Sequence, residues 1–244
     1  MKLKIKNGRI LGIEEQELNP VLPTTDLSFM EDKDLYKEVR NYIKTEHRNL
    51  ENKLFFKEGV VKGSSSYLAV VVDMYLKKHA PTHRIATQAD LETNLQKFKN
   101  FYIDSGLALR SLDNPNSDKA KYLSEQLKTR GINNFPIWLD LRGLELDKNL
   151  NFNLTDESTY KIADCLNWEN GTNYSKTDNF GLPKSKDKNS SRQIWTANNG
   201  LVRCFLIRNS NLNSRDGGLD NSYDYGRVVL VEARSAETRA KFKK

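Results

Sequence analysis

A chain of 244 residues is long enough for one large core or two small ones. Its composition, 37% hydrophobic and 29% charged with a mean hydropathy of -0.71, is polar but globular. No apolar run approaches the ~20 residues of a membrane-spanning helix, and the start, MKLKIKNGRILGIEEQ, lacks the apolar core and cleavage site of a standard export signal. Cys165 and Cys204 are too few for a disulfide framework or a zinc ribbon, and the lysines behind the net charge of +7 are scattered through both halves, which fits a solvated surface better than a nucleic-acid groove.

The first dozen residues, with Leu3, Ile5 and Ile10 apolar, read as a short strand or arm, and Pro20 and Pro23 punctuate a connector. Over residues 32–58, Leu35, Val39, Tyr42, Ile43, Leu50 and Leu54 recur at helical spacing, with Gly59 as a stop. Ser64 to Ser66 can cap a segment from Tyr67 to Lys78. Its core, LAVVVDMYL, fits a buried helix or a strand, and its length favours the helix. Pro81 ends it. Residues 1–80 are therefore expected to form an N-terminal helical extension, and 81–234 the main domain.

Thr87 can cap a helix with Leu91, Leu95, Phe98 and Tyr102 on one face, ending near Gly106. Ser117 can cap another, with Ala120, Leu123 and Leu127 as its apolar stripe and Gly131 at the left-handed position after it. In FPIWLDLRGLEL, Ile137, Leu139 and Leu141 face one way and Trp138, Asp140 and Arg142 the other. Phe152 to Leu166 holds one or two further strands, and residues 167–192 form a long polar loop. Ile194 and Trp195 begin a strand, and residues 201–205 alternate. Arg227 to Val231 reads as a buried strand, and 235–244, with Lys241, Lys243 and Lys244, as a flexible tail. Helices followed by strands give an α+β class.

From Thr196 to Val231 the chain contains no Lys, Glu, Gln, Met or Trp. These types make up about a fifth of the sequence, so a stretch of this length should hold about seven of them. None can be encoded by a codon ending in a pyrimidine. Resampling chosen positions with such codons leaves this composition: Asn, Ser, Asp, Tyr, Gly and Arg on a frame of Leu, Arg and Val.

The stretch GLVRCFLIRNSNLNSRDGGLDNSYDYGRVVLV resembles the C-terminal variable region of the variable proteins of diversity-generating retroelements, in particular the archaeal group. GLALRS, EQLKTRG, PIWLDLRGLEL and FNLTDESTY are similar to that group as well, so the resemblance covers roughly residues 80–231 and is strongest from Trp195 onward. It implies a C-type lectin fold, with two helices packed on a small twisted antiparallel sheet. It also implies massive sequence variation: a reverse transcriptase copies a template repeat and misincorporates at adenines, turning Asn codons into codons that never specify the five missing types.

The expected scaffold is Leu201, Arg203, Leu206, Leu212, Leu219, Gly226 and Arg227, with Val228 and Val229. The leucines anchor loop turns, the arginines tie loop carbonyls together and Gly226 permits a close approach. The expected variable, ligand-facing residues are Val202, Cys204, Ile207, Arg208, Asn211, Asn213, Arg215, Asp216, Gly217, Asp220, Asn221, Tyr223, Asp224 and Tyr225. Val202 and Cys204 lie two apart, as do Tyr223 and Tyr225, so each pair shares one face of an extended segment. Tyr with Asn, Ser and Gly is the composition of adaptable binding loops. The expected partner is a macromolecule, in the first place a protein.

Catalytic signals are weak. His79 and His83 have the spacing of helical metal ligands, but Pro81 stands between them, so neither a metal nor a cofactor is expected. The sugar-binding motifs of calcium-dependent lectins are absent; Trp168-Glu-Asn170 is a loose echo. The Asn-x-Ser/Thr triplets at Asn153, Asn170, Asn173 and Asn189 follow from asparagine frequency. A non-enzymatic binding protein is the leading expectation. The alternatives are a formylglycine-generating type of enzyme, a copper oxidase of the same broad fold that needs a cysteine pair, and a fixed viral or cell-surface adhesin module. Cytoplasmic, virion-borne and non-standard surface locations all fit.

Overall fold

A computed structural model describes the backbone of residues 3–6 and 9–13, and residues 26–232 apart from the Arg208 side chain. The expectations placed on the side chains of Leu3, Ile5 and Ile10, on the Pro20–Pro23 connector and on the 235–244 tail lie outside the described residues. The strands are β1 (Leu3–Lys6), β2 (Arg9–Ile13), β3 (Leu27–Phe29), β4 (Phe55–Lys57), β5 (Val60–Lys62), β6 (His83–Ile85), β7 (Ile103–Leu109), β8 (Ile137–Asp140), β9 (Leu144–Leu146), β10 (Phe152–Leu154), β11 (Tyr160–Ile162), β12 (Thr172–Asn173), β13 (Gln193–Thr196), β14 (Leu201–Ile207), β15 (Asn211–Asp216) and β16 (Val229–Glu232). The helices are α1 (Lys33–Glu46), α2 (Ser66–His79), α3 (Gln88–Glu92), α4 (Leu95–Phe98) and α5 (Ser117–Thr129). The α+β class holds.

α1 starts where the Asp32 carboxylate accepts the N–H groups of Asp34 and Leu35, and it buries Tyr36, Val39 and Ile43. It ends before the expected stop. A 3-10 turn, Arg48–Lys53, buries Leu50, and Glu58 and Gly59, both at positive φ, turn the β4–β5 hairpin. α2 is a helix capped by Ser65, buried over most of its circumference from Ser66 to Leu76. A helix apolar on so many sides needs other elements around it. α2 packs on β6, β7 and β9, and β3 pairs with β16 in the register Phe29↔Val229. Residues 26–80 thus share a core with the rest of the chain.

Seven strands form the main sheet in the order β11-β8-β7-β14-β15-β13-β12, antiparallel except for β13 with β15. Leu107, Leu109, Ile137, Leu139 and Leu201 meet α2 and α5 in one core. Ala108, Trp138, Val202, Cys204, Ile194 and Leu212 meet Cys165, Leu166, Tyr174 and Leu182 in a second. Covering both faces leaves β7 and β8 buried along their whole length. The polar segment 167–192 supplies part of that second cover, through Tyr174 and Leu182; it is turns tied by β12 and by the bridges Tyr174↔Lys186 and Thr177↔Pro183.

The helix expected from Thr87 to Gly106 is replaced by α3, α4 and β7. Thr87 caps α3 in a full capping box with Asp90. Leu91 and Phe98 reach a third cluster with Leu27, Ile103, Leu206, Val229 and Val231. Gly106 lies inside β7, where a Cβ would stand 2.3 Å from Trp138 Nε1 and 2.8 Å from the Leu139 carbonyl oxygen. It marks a close crossing of strands, not a helix end. α5, with Ala120, Leu123 and Leu127 buried and Gly131 at φ 81°, follows the sequence pattern closely.

Candidate functional site

The stretch without Lys, Glu, Gln, Met and Trp comprises β14, β15, the loop 217–228 and most of β16. Register aligns two rows across the sheet. Trp195, Asn213, Phe205 and Asp104 are successive neighbours on one face; Ile194, Leu212, Leu206 and Ile103 are neighbours on the other. Bulges shift the register between Arg203 and Phe205 against β15, and between Cys204 and Phe205 against β7. Arg110 fixes the first of them. Its guanidinium donates to the carbonyl oxygen of Ser214 at 2.9 Å, to Ser214 Oγ at 2.7 Å and to the Leu166 carbonyl at 2.8 Å. Sequence reasoning missed this role, although Arg110 stands in the GLALRS motif.

Arg203 is the centre of the frame. Wholly buried, it pairs with the wholly buried carboxylate of Asp104, and Nη1 donates to the Asn221 carbonyl at 2.8 Å. Burial opposes the guanidinium charge, but Asp104 outweighs it and holds the Arg203 pKa above its ordinary value. Ser64 Oγ donates to the same carboxylate at 2.6 Å. Further groups grip the loop backbone. Asn116 Nδ2 donates to the Gly217 carbonyl and Tyr102 N–H to that of Tyr225; Arg227 Nη1 donates to those of Asp224 and Gly226. Ser222 Oγ donates to the Lys53 carbonyl and accepts Ser64 N–H. A Cβ on Gly226 would stand 2.5 Å from Ser64 N, so the chain passes there only as glycine. All nine expected scaffold residues are buried, the leucines and valines within the three clusters.

The fourteen expected variable residues divide by depth. Arg215, Asp220, Tyr223, Asp224 and Tyr225 are exposed. Ile207, Asn211, Asp216, Gly217 and Asn221 are half-buried, and Asn213 is buried with Oδ1 accepting Arg215 N–H at 3.0 Å. The Arg208 side chain lies outside the described residues. Val202 and Cys204 correct the expectation. They share one face, as their spacing requires, but it is turned into the second core, where both are 0% exposed. β14 sits between β7 and β15 with both faces covered, so no partner reaches them without opening the core. Gly217 is also confined, since a Cβ would meet the Pro115 ring at 2.8 Å.

Two half-buried aromatic residues, Tyr102 and Trp195, adjoin this surface from outside the stretch. Tyr102 packs edge-on against Phe205 and Tyr223, each at 6.0 Å between centroids. Trp195 lies beside Asn213, under the Arg215 guanidinium. Tyr102 and Trp195 precede the stretch that lacks the five types, so composition could not single them out, although Trp195 directly abuts it. Behind the β14–β15 turn, Arg192 pairs bidentately with Glu92 and donates from Nε to the Ser210 carbonyl.

Among the described residues this surface offers rings, amides, carboxylates and the exposed Arg215 guanidinium. Among the described residues no group of three or more His, Cys, Asp or Glu side chains is placed to hold a metal. Cys165 and Cys204 come together in the second core, unbonded, and burial pushes both thiols up to about 12, which disfavours the nucleophilic thiolate. No helix among the described residues is long and apolar enough to cross a membrane. No protein-family model, no curated protein and no solved structure matches the chain.

Proposed function

We propose that the chain is a non-enzymatic binding protein of the diversity-generating retroelement type, displaying a mutable surface on a C-type lectin fold. The surface comprises the outward residues of β15 and the 217–226 loop, with Ile207 at the end of β14. The partner is another macromolecule, in the first place a protein. One observation carries the reading. The stretch that lacks the five residue types runs through a loop whose backbone is held largely by groups outside it: Asn116, Tyr102, Gly63 and Tyr67. Side chains there can change without removing what holds the loop. The resemblance of residues 80–231 and the exposed Tyr223 and Tyr225 support the same reading.

Burial narrows the contact set. Val202 and Cys204 stand inside the core and, if they vary, do so only among small apolar residues. The ligand-contacting positions are Arg215, Asp216, Asp220, Asn221, Tyr223, Asp224 and Tyr225, flanked by Ile207, Asn211 and Asn213. The test is genomic: a near-repeat of the DNA for this stretch, beside a reverse-transcriptase gene, with adenines in the repeat wherever the two copies differ. Differences scattered without regard to template adenines reject the proposal.

A further inference from the structure

Trp195 stands one position before the stretch from which tryptophan is missing, yet it adjoins Asn213 in the row that continues to Phe205. Its ring is half-buried, and the exposed Arg215 lays its guanidinium over that ring, 4.6 Å from the centroid. The indole N–H is enclosed without a hydrogen-bond partner. Trp138 has the same unmet indole in the core, so what sets Trp195 apart is its half-buried ring beneath an exposed cation. A tryptophan codon does not end in a pyrimidine, so the diversification proposed above cannot create Trp at its target positions. Trp195 therefore stays while its neighbours change.

The geometry points to Trp195 as a fixed ligand-contacting ring at the edge of the variable surface, with residue 215 as its cover. Arg215 closes the ring face. A short side chain at 215 opens it to an apolar or aromatic side chain of a protein partner. A large, rigid aromatic ring gives contact area at low entropic cost, and an exposed cation–π contact is weak enough for substitution to open it. One surface thus presents two states: a charged one with Arg215 in place, and an aromatic one without it. The inference rests on the proposed binding role, but its first test does not need a ligand.

With Trp168→Phe in the full chain, the emitting indoles are Trp138, 1% exposed, and Trp195. Arg215→Ser is expected to raise acrylamide quenching about twofold, whereas Lys188→Ser, an exposed change elsewhere, leaves it unaltered. Unchanged quenching in Arg215→Ser overturns the cover. The second test displays the chain with pyrimidine-ending codons at the surface positions and selects on lysozyme as the probe. In clones with Ser, Asn or Gly at 215, Trp195→Ala is expected to weaken binding about tenfold; in clones keeping Arg215, less than about twofold. Equal losses in both groups mark a merely structural tryptophan, and no loss in either removes the contact. Failure of the genomic test with success here rejects the retroelement origin and leaves the ring and its cover standing.

Discussion

Replacing Asp104 with Asn tests whether the 217–226 loop hangs on one buried charge pair. Arg203 and Asp104 have side chains at 0% exposure, so Asp104→Asn leaves an enclosed guanidinium with carbonyl and amide oxygens around it and the half-buried Asp216 carboxylate, 3.7 Å away, as its remaining counter-charge. Breaking a buried pair from one side costs about 3–5 kcal/mol. The amide keeps an acceptor for Nε, so about 3 kcal/mol is expected. Arg203→Met strands the Asp104 carboxylate with the Ser64 and Ser66 hydroxyls and should cost about 4 kcal/mol. The double variant removes both charges and loses mainly the hold on Asn221, about 2 kcal/mol, giving a coupling of about 5 kcal/mol. Urea unfolding of the four proteins at pH 7 measures this cycle, with constant m-values as the check on two-state behaviour. Amide exchange should accelerate across residues 217–226 in both single variants. Additive losses below about 1 kcal/mol each, with exchange unchanged, would refute the argument.

Burial raises the Asp140 pKa from 3.8 to about 7. The folded state therefore holds a proton that the unfolded state releases near pH 4, so stability falls as pH climbs from 4 to 7 and stays lost above. Asp140→Asn should gain up to about 4 kcal/mol on the parent between pH 4 and pH 8, by urea unfolding; a pH-independent difference contradicts this. Val202→Asp should cost more than about 4 kcal/mol by thermal unfolding, while Tyr225→Asp stays within about 1 kcal/mol. Equal effects would mean that the two-tier division of the variable set is wrong. Gly106→Ala forces a Cβ against Trp138 and should cost about 3 kcal/mol, with altered near-ultraviolet dichroism. An unchanged melting temperature would show that the strands separate freely there.

What the sequence yields depends on how local the signal is. α5 is legible from its stripe and from Gly131, which lie within one run, although its cap is Asn116 rather than the expected Ser117; α2 fits helix or strand by pattern, and its length decides for the helix. β7 was misread because Leu91, Phe98 and Tyr102 keep helical spacing across two short helices, and nothing local marks Gly106 as a strand crossing. Spacing tells that Val202 and Cys204 share a face; which face needs the whole sheet and its cover from residues 163–182. The row Trp195–Asn213–Phe205 rests on a parallel pairing and on bulges, and the grip of Arg110 and Asn116 spans about a hundred residues. Composition singles out a stretch, but not which of its positions face outward.

The bonds that fix the 217–226 loop from outside end mostly on its peptide oxygens, at Gly217, Leu219, Asn221, Asp224, Tyr225 and Gly226. Every amino acid carries that oxygen, proline included. Proline has no N–H to donate and is itself specified by a pyrimidine-ending codon, so it is the exchange most apt to break a variable loop. At position 224 the anchoring bond uses only the carbonyl, which proline retains. A frame that holds acceptors makes its grip indifferent to the one residue type that would otherwise be the costliest outcome of random substitution.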